Sequence, residues 1–181
     1  MKAICLVAHP DDCAIFGYQF ISEHADWDWS VWYLTYTLDS DRLKELKSFW
    51  NSRGVSVGAG CFIDSWDHVS RGELGFDAAH AKTLIGGACK GFDLILTHNH
   101  KGEYGHPHHL FIHDAVQQMA VPKVYFGSGI DTHNWSRKLL DPAFDSNELP
   151  LHKSVIDEFD LTNWRYLITP EAGDVLEYEH E

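Results

Sequence analysis

A chain of 181 residues with 44% apolar content is long enough to bury a real core, and its length fits one domain over 1–181. Fourteen Lys and Arg against 27 Asp and Glu give a formal net charge of −13, which repels phosphate backbones and anionic membranes and argues against nucleic acid or a membrane as partner. No apolar run nears the roughly 18 residues of a membrane span, the N-terminus lacks a secretory pattern, and the 4 cysteines form no C-x-x-C pair. These features predict a soluble cytoplasmic protein with reduced thiols.

Residues 3–8 form an apolar run that reads as a short buried strand. It ends at His9-Pro10-Asp11-Asp12, where Pro10 pushes His9 towards extended geometry and forces a shaped loop. An imidazole and two carboxylates so close together need a cation, hydrogen bonds or solvent. The carboxylates are chain neighbours and so diverge, which suits one as ligand and one as base. Cys13, Phe16, Gly17, Phe20 and Ile21 then recur on one helix face, with Gly17 placed for close approach to a sheet.

Residues 29–37, β-branched and aromatic, predict a second strand. Asp39-Ser40-Asp41 offers N-cap chemistry to a helix bearing Leu43, Leu46, Phe49 and Trp50, and Gly54 stops it. A third strand is expected over 55–63, a polar turn-rich stretch over 64–75 and a helix over 76–90. Residues 92–97 make a fourth strand, followed by a loop over 99–105. His106-Pro107 opens a helix to about residue 120, with Pro at its first position, and 123–127 is a fifth strand. Beyond residue 130 the pattern loosens, with a helix over 151–159 and a last strand over 164–168. Repeated βα units predict a Rossmann-like α/β fold, a mostly parallel sheet flanked by helices.

Such sheets bind ligands beyond the carboxyl ends of their strands. His9, Asp11 and Asp12 follow the first strand, Asp39 the second, Asp67 and His68 the third, and the stretch 98–109 the fourth. His106 and His109 stand three apart at a helix start and can face one site. His9, Asp12 and a distant helical His would give three N/O ligands with one position open for water, the pattern of catalytic zinc. His98, His100, His108 and His113 are expected at the site rim or surface.

His-Pro-Asp-Asp after the first strand, with Gly-His-Pro-x-His at residues 105–109, resembles the LmbE-like (PIG-L) zinc-dependent N-acetylglucosaminyl deacetylases over residues 3–120. The resemblance implies one zinc (or other divalent metal) per chain on His9, Asp12 and His109, with Asp11 as general base. It further implies that His106 steadies an oxyanion and that Tyr104 occupies the position of the family's mobile catalytic tyrosine. Arg42 and Asp67 match positions that touch the sugar. The family often carries Glu where this chain has Cys13, which falls on the apolar helix face and is read as packing. The expected activity is removal of an acetyl group from an N-acetylated amino sugar, with homo-oligomers common in the family. A metal-dependent hydrolase of another bond, such as a phosphoester, and a catalytically silent metal- or sugar-binding module stay open as alternatives.

Overall fold

The computed structural model of the chain describes residues 1–35, 41–62, 73–126 and 145–153. Five strands form one all-parallel sheet: β1 (Lys2–Val7), β2 (Asp28–Thr35), β3 (Ser56–Phe62), β4 (Leu94–Thr97) and β5 (Lys123–Tyr125), in the order β3-β2-β1-β4-β5. The helices are α1 (Tyr18–Glu23), α2 (Asp41–Asn51), α3 (Ala78–Ala88), the single turn α4 (Gly102–Gly105) and α5 (Pro107–Gln117). Five of the six expected strands and the Rossmann-like arrangement are therefore present. The helix expected over 151–159 is described only to Lys153; the strand over 164–168, Asp39, Ser40, Asp67 and His68 lie outside the described residues.

The sheet is covered on both sides, which is why β1 reads as a continuous apolar run rather than an alternation. Cys5 and Val7 join Phe16, Phe20, Val31, Tyr33, Leu46, Trp50 and Leu96 in the core under α1 and α2. Ile4 and Leu6 join Leu34, Ile85, Ile95, Phe111, Ile112 and Val116 under α3 and α5. The two-residue period of a strand divides the residues between these cores. Among the described residues no helix is long and apolar enough to cross a membrane.

Side chains lock the carboxyl ends of three neighbouring strands together. Thr35 donates to Ala8 O through both its N–H and its hydroxyl, each at 2.9 Å. Thr97 Oγ1 donates to Leu6 O at 2.7 Å, and the Ala8 N–H reaches His98 Nε2 at 3.0 Å. The edge that presents His9 is thus tied to the ends of β2 and β4.

Two local departures from expectation sit beside that edge. Residues Cys13–Gly17 form a π-helical turn before α1, all five of them buried. A wider turn of this kind is often found at functional sites. It lays Gly17 against the sheet, where a Cβ would meet Cys5 Sγ and Phe126 at 3.3 Å, as the close-approach reading anticipated. The segment 99–105, expected to be loop, contains α4, entered through Gly102 at φ 58° and Glu103 at φ 56° and left through Gly105 at φ 88°. Glycines make this tight left-handed path accessible at two of its three positions.

Candidate metal centre

The turn after β1 folds back on itself. Asp12 Oδ2 accepts the His9 N–H at 2.7 Å, so one carboxylate oxygen is fixed beside the His9 ring. On the facing side, His106 caps α5: its Nδ1 accepts the His108 N–H at 3.2 Å, and Pro107 takes the first helical position, where no N–H is needed. One turn into that helix stands His109, fully buried.

These elements bring three donor atoms together. His9 Nδ1 lies 3.1 Å from Asp12 Oδ2, and His109 Nε2 lies 3.3 Å from each of them. Ligands held tetrahedrally at about 2.0–2.1 Å from a zinc ion stand about 3.3 Å apart, so the spacing fits a single small divalent cation. The outer partners agree. His108 Nε2 lies 2.8 Å from Leu74 O, a carbonyl that can only accept, so neutral His108 carries its proton there. Its Nδ1 then accepts from His9 Nε2 at 3.1 Å, which leaves a lone pair on His9 Nδ1, facing Asp12 and His109. A lone pair and a carboxylate oxygen converging in a buried space call for a cation.

Two further trios, His9-His106-His109 and Asp12-His98-His109, also bring ligand atoms within 4.8 Å. In the latter, His98 Nε2 is already engaged by the Ala8 N–H. In the former, His106 Nδ1 is engaged by the helix cap. The trio of His9, Asp12 and His109 keeps a donor atom of each residue turned to one point.

The electrostatics follow from burial and proximity. Burial pushes the Asp12 carboxyl up, but His109 and His9 outweigh it and hold it well below the ordinary carboxylate value. Burial and the rings of His109 and His9 push His106 down to about 2, so it is neutral. With Nδ1 accepting from the helix, its proton resides on Nε2. Burial opposes charge on His98, yet Glu103 and Asp12 push its pKa up to about 9. A protonated Nε2 would confront the Ala8 N–H, however, and that contact assigns His98 as the neutral ring.

The other anticipated residues are placed as follows. Asp11 diverges from Asp12 and its Oδ2 accepts from Arg42 Nη2 at 3.0 Å, so Arg42 reaches the site edge with a guanidinium nitrogen on Asp11. The backbone of Tyr104 lies in α4, and Asp67 lies outside the described residues. Cys13 is fully buried with its Sγ 3.1 Å from Cys5 Sγ, and it packs in the core.

The expectation that His98, His108 and His113 lie at the rim or surface is overturned: all three are buried, and only His100 of that set is exposed. The reason is hydrogen bonding, because each buried ring has a polar partner that offsets its desolvation. Glu103 was also overlooked. It is buried between His98 and His109, which, against burial, bring its carboxyl down to about 2. From the C-terminal third comes His152, buried with Nδ1 2.7 Å from Glu45 Oε2 and near enough to Asp11 and Arg42 to feel their charges. Position beside or within the Gly-His-Pro-x-His motif is the signal that could have found Glu103 and His108; nothing local marks His152.

Comparison of the sequence with protein-family models and with curated proteins returns no match. Solved structures similar to this one include a deacetylase–teicoplanin complex from teicoplanin biosynthesis, at 16% identity and TM-score 0.53 over 69% of each chain. Another is a deacetylase–bog complex from the same pathway, at 14% identity and TM-score 0.57 over 87% of this chain and 83% of that one. The A40926 pseudoaglycone deacetylase Dbv21 matches at 14% identity and TM-score 0.50, over 86% and 80%. At these identities the likeness is one of fold. The chain has the fold of the LmbE-like (PIG-L) deacetylases, the family that its two motifs resemble.

Proposed function

We propose that this protein is a zinc-dependent hydrolase that removes the acetyl group from an N-acetylated amino sugar, a glycoside or conjugate of the N-acetylglucosamine type. The observation that carries the reading is the trio of donor atoms on His9, Asp12 and His109, spaced 3.1–3.3 Å apart beside a second carboxylate, Asp11. Bound by that trio, zinc would supply Lewis acidity and a water of lowered pKa.

The chain's own groups would do the rest. Asp11 takes the proton of the attacking water and later delivers it to the departing amine. Arg42 occupies Asp11 Oδ2, which leaves Oδ1 to handle the proton. The neutral His106 presents Nε2–H as a donor to the oxyanion of the tetrahedral intermediate. Tyr104 shares that role, and Arg42 and Asp67 contact the sugar. The net charge of −13 suits a neutral sugar better than a polyanion. A phosphoester hydrolase would need cationic side chains for its substrate's phosphate, and the guanidinium of Arg42 at the site edge faces Asp11.

The test is release of primary amine from a panel of N-acetylated sugars and glycosides by the zinc-loaded protein, with and without a chelator. Release that is chelator-sensitive supports the reading. A folded, zinc-loaded protein that frees no amine from any member of the panel contradicts it.

A further inference from the structure

The connection between β4 and α5 carries more polar chemistry than a connector needs. Glu103 is only 4% exposed and sits at φ 56°, a strained conformation for a residue with a Cβ. Its carboxylate is met by three donors. Oε1 accepts the Asn99 N–H at 3.0 Å, and Oε2 lies 2.6 Å from His109 Nδ1 and 2.8 Å from His98 Nδ1. Asn99 pins the turn in return: Oδ1 accepts from the N–H groups of Lys101 at 2.8 Å and Glu103 at 3.3 Å, and Nδ2 donates to Phe126 O at 2.9 Å.

An ionised carboxylate only accepts, so both rings must turn an Nδ1–H towards Glu103. The Nε2 of His98 is thereby left as an acceptor, and the Ala8 N–H fills it at 3.0 Å. His109 Nε2 is left facing Asp12 and His9, 3.3 Å from each. The two rings lie stacked with centroids 3.8 Å apart. One ring therefore anchors the end of β1 and the other faces the candidate metal position, and one buried carboxylate orients both.

We propose that Glu103 is a positioning residue: by accepting Nδ1–H from His98 and His109 together, it turns His109 Nε2 onto the metal site and fixes that site to the end of β1. The strain at Glu103 is the local cost of aiming a carboxylate between two rings. This deepens the metal reading of the site and depends on it in one arm of the test only.

Two variants separate the carboxylate from the backbone. Glu103→Gln aims an amide N–H either at the Asn99 N–H or at the two imidazoles, so no orientation satisfies all three donors. Glu103→Gly removes the carboxylate but adopts φ 56° freely, which guards against a failure to fold. In the first arm, imidazole ¹⁵N–¹H NMR of the metal-free protein should show a proton on Nδ1 of both His98 and His109, protected from exchange in wild type and unprotected in both variants. In the second, zinc affinity by chelator competition should fall about 10–100-fold in both variants. A wild-type His109 with no proton on Nδ1 overturns the proposal, as does equal zinc affinity in wild type and both variants. If the wild type binds no zinc while the NMR arm comes out as expected, the metal reading fails and the role of Glu103 in orienting the two rings stands.

Discussion

Replacing Asp11 by Asn separates proton transfer from metal binding within two adjacent carboxylates. The geometry makes the change nearly isosteric. The amide oxygen can keep the 3.0 Å contact with Arg42 Nη2, and the amide nitrogen then lies where the free carboxylate oxygen stood. Asp12, His9 and His109 are not altered, so metal content should stay at the wild-type level. What disappears is the ability to take a proton from water, typically worth 10²–10⁴-fold in rate, or about 2.7–5.4 kcal/mol of barrier. Lost charge pairing with Arg42 adds a modest effect, because that side chain is 29% exposed and its pair is partly screened by water. The assay is kcat on an N-acetylated sugar, with zinc measured by elemental analysis on the same sample. If Asp11→Asn loses its metal, Asp11 is a ligand and the roles of the two carboxylates are exchanged. If it keeps both metal and a kcat within about tenfold of wild type, no general base resides there.

Other variants probe the remaining groups. His109→Ala should leave the protein without bound zinc in equilibrium dialysis while wild type retains one ion; an unchanged load removes His109 from the ligand set. His106→Asn can still cap α5, because Asn is a good capping residue, but it lacks the Nε2–H; kcat should drop with zinc content unchanged, the mark of a contact made in the transition state. A drop in zinc content instead would make His106 a ligand. Glu103, held at about 2 against an ordinary value of 4.5, contributes stability that is fully present above about pH 4.5 and is lost as pH falls towards 2. In denaturant unfolding of metal-free protein, the stability gap between wild type and Glu103→Gly should therefore narrow from pH 6 to pH 3; a gap that widens refutes an ionised, paired Glu103.

Much of this arrangement is legible in the amino-acid sequence itself. The run through Val7 is apolar because β1 is covered on both faces, and a motif at its end falls on the ligand-binding edge of a parallel sheet. Pro107 and His106 announced the start of α5, and the three-residue spacing to His109 put both rings on one side. Burial of polar groups was harder to read, because it depends on partners far away in sequence. His98 is buried because Ala8 and Glu103 satisfy it, and His108 because Leu74 does. A left-handed Glu103 has no local signature, since the residue favours φ < 0 and is held otherwise by its surroundings. Arg42 was expected on the sugar, and only the fold reveals Asp11 as its partner.

The central claim is that one divalent ion on His9, Asp12 and His109 makes this site a deacetylase. Its most direct test is a titration of metal-free protein with zinc, following acetate release from an N-acetylglucosamine glycoside and bound zinc in the same samples. Turnover should rise in proportion to bound zinc, level off at one ion per chain, and be absent at every point for His109→Ala. Turnover that is already maximal in the metal-free protein, or a chain that fills with one zinc and releases no acetate, would contradict it.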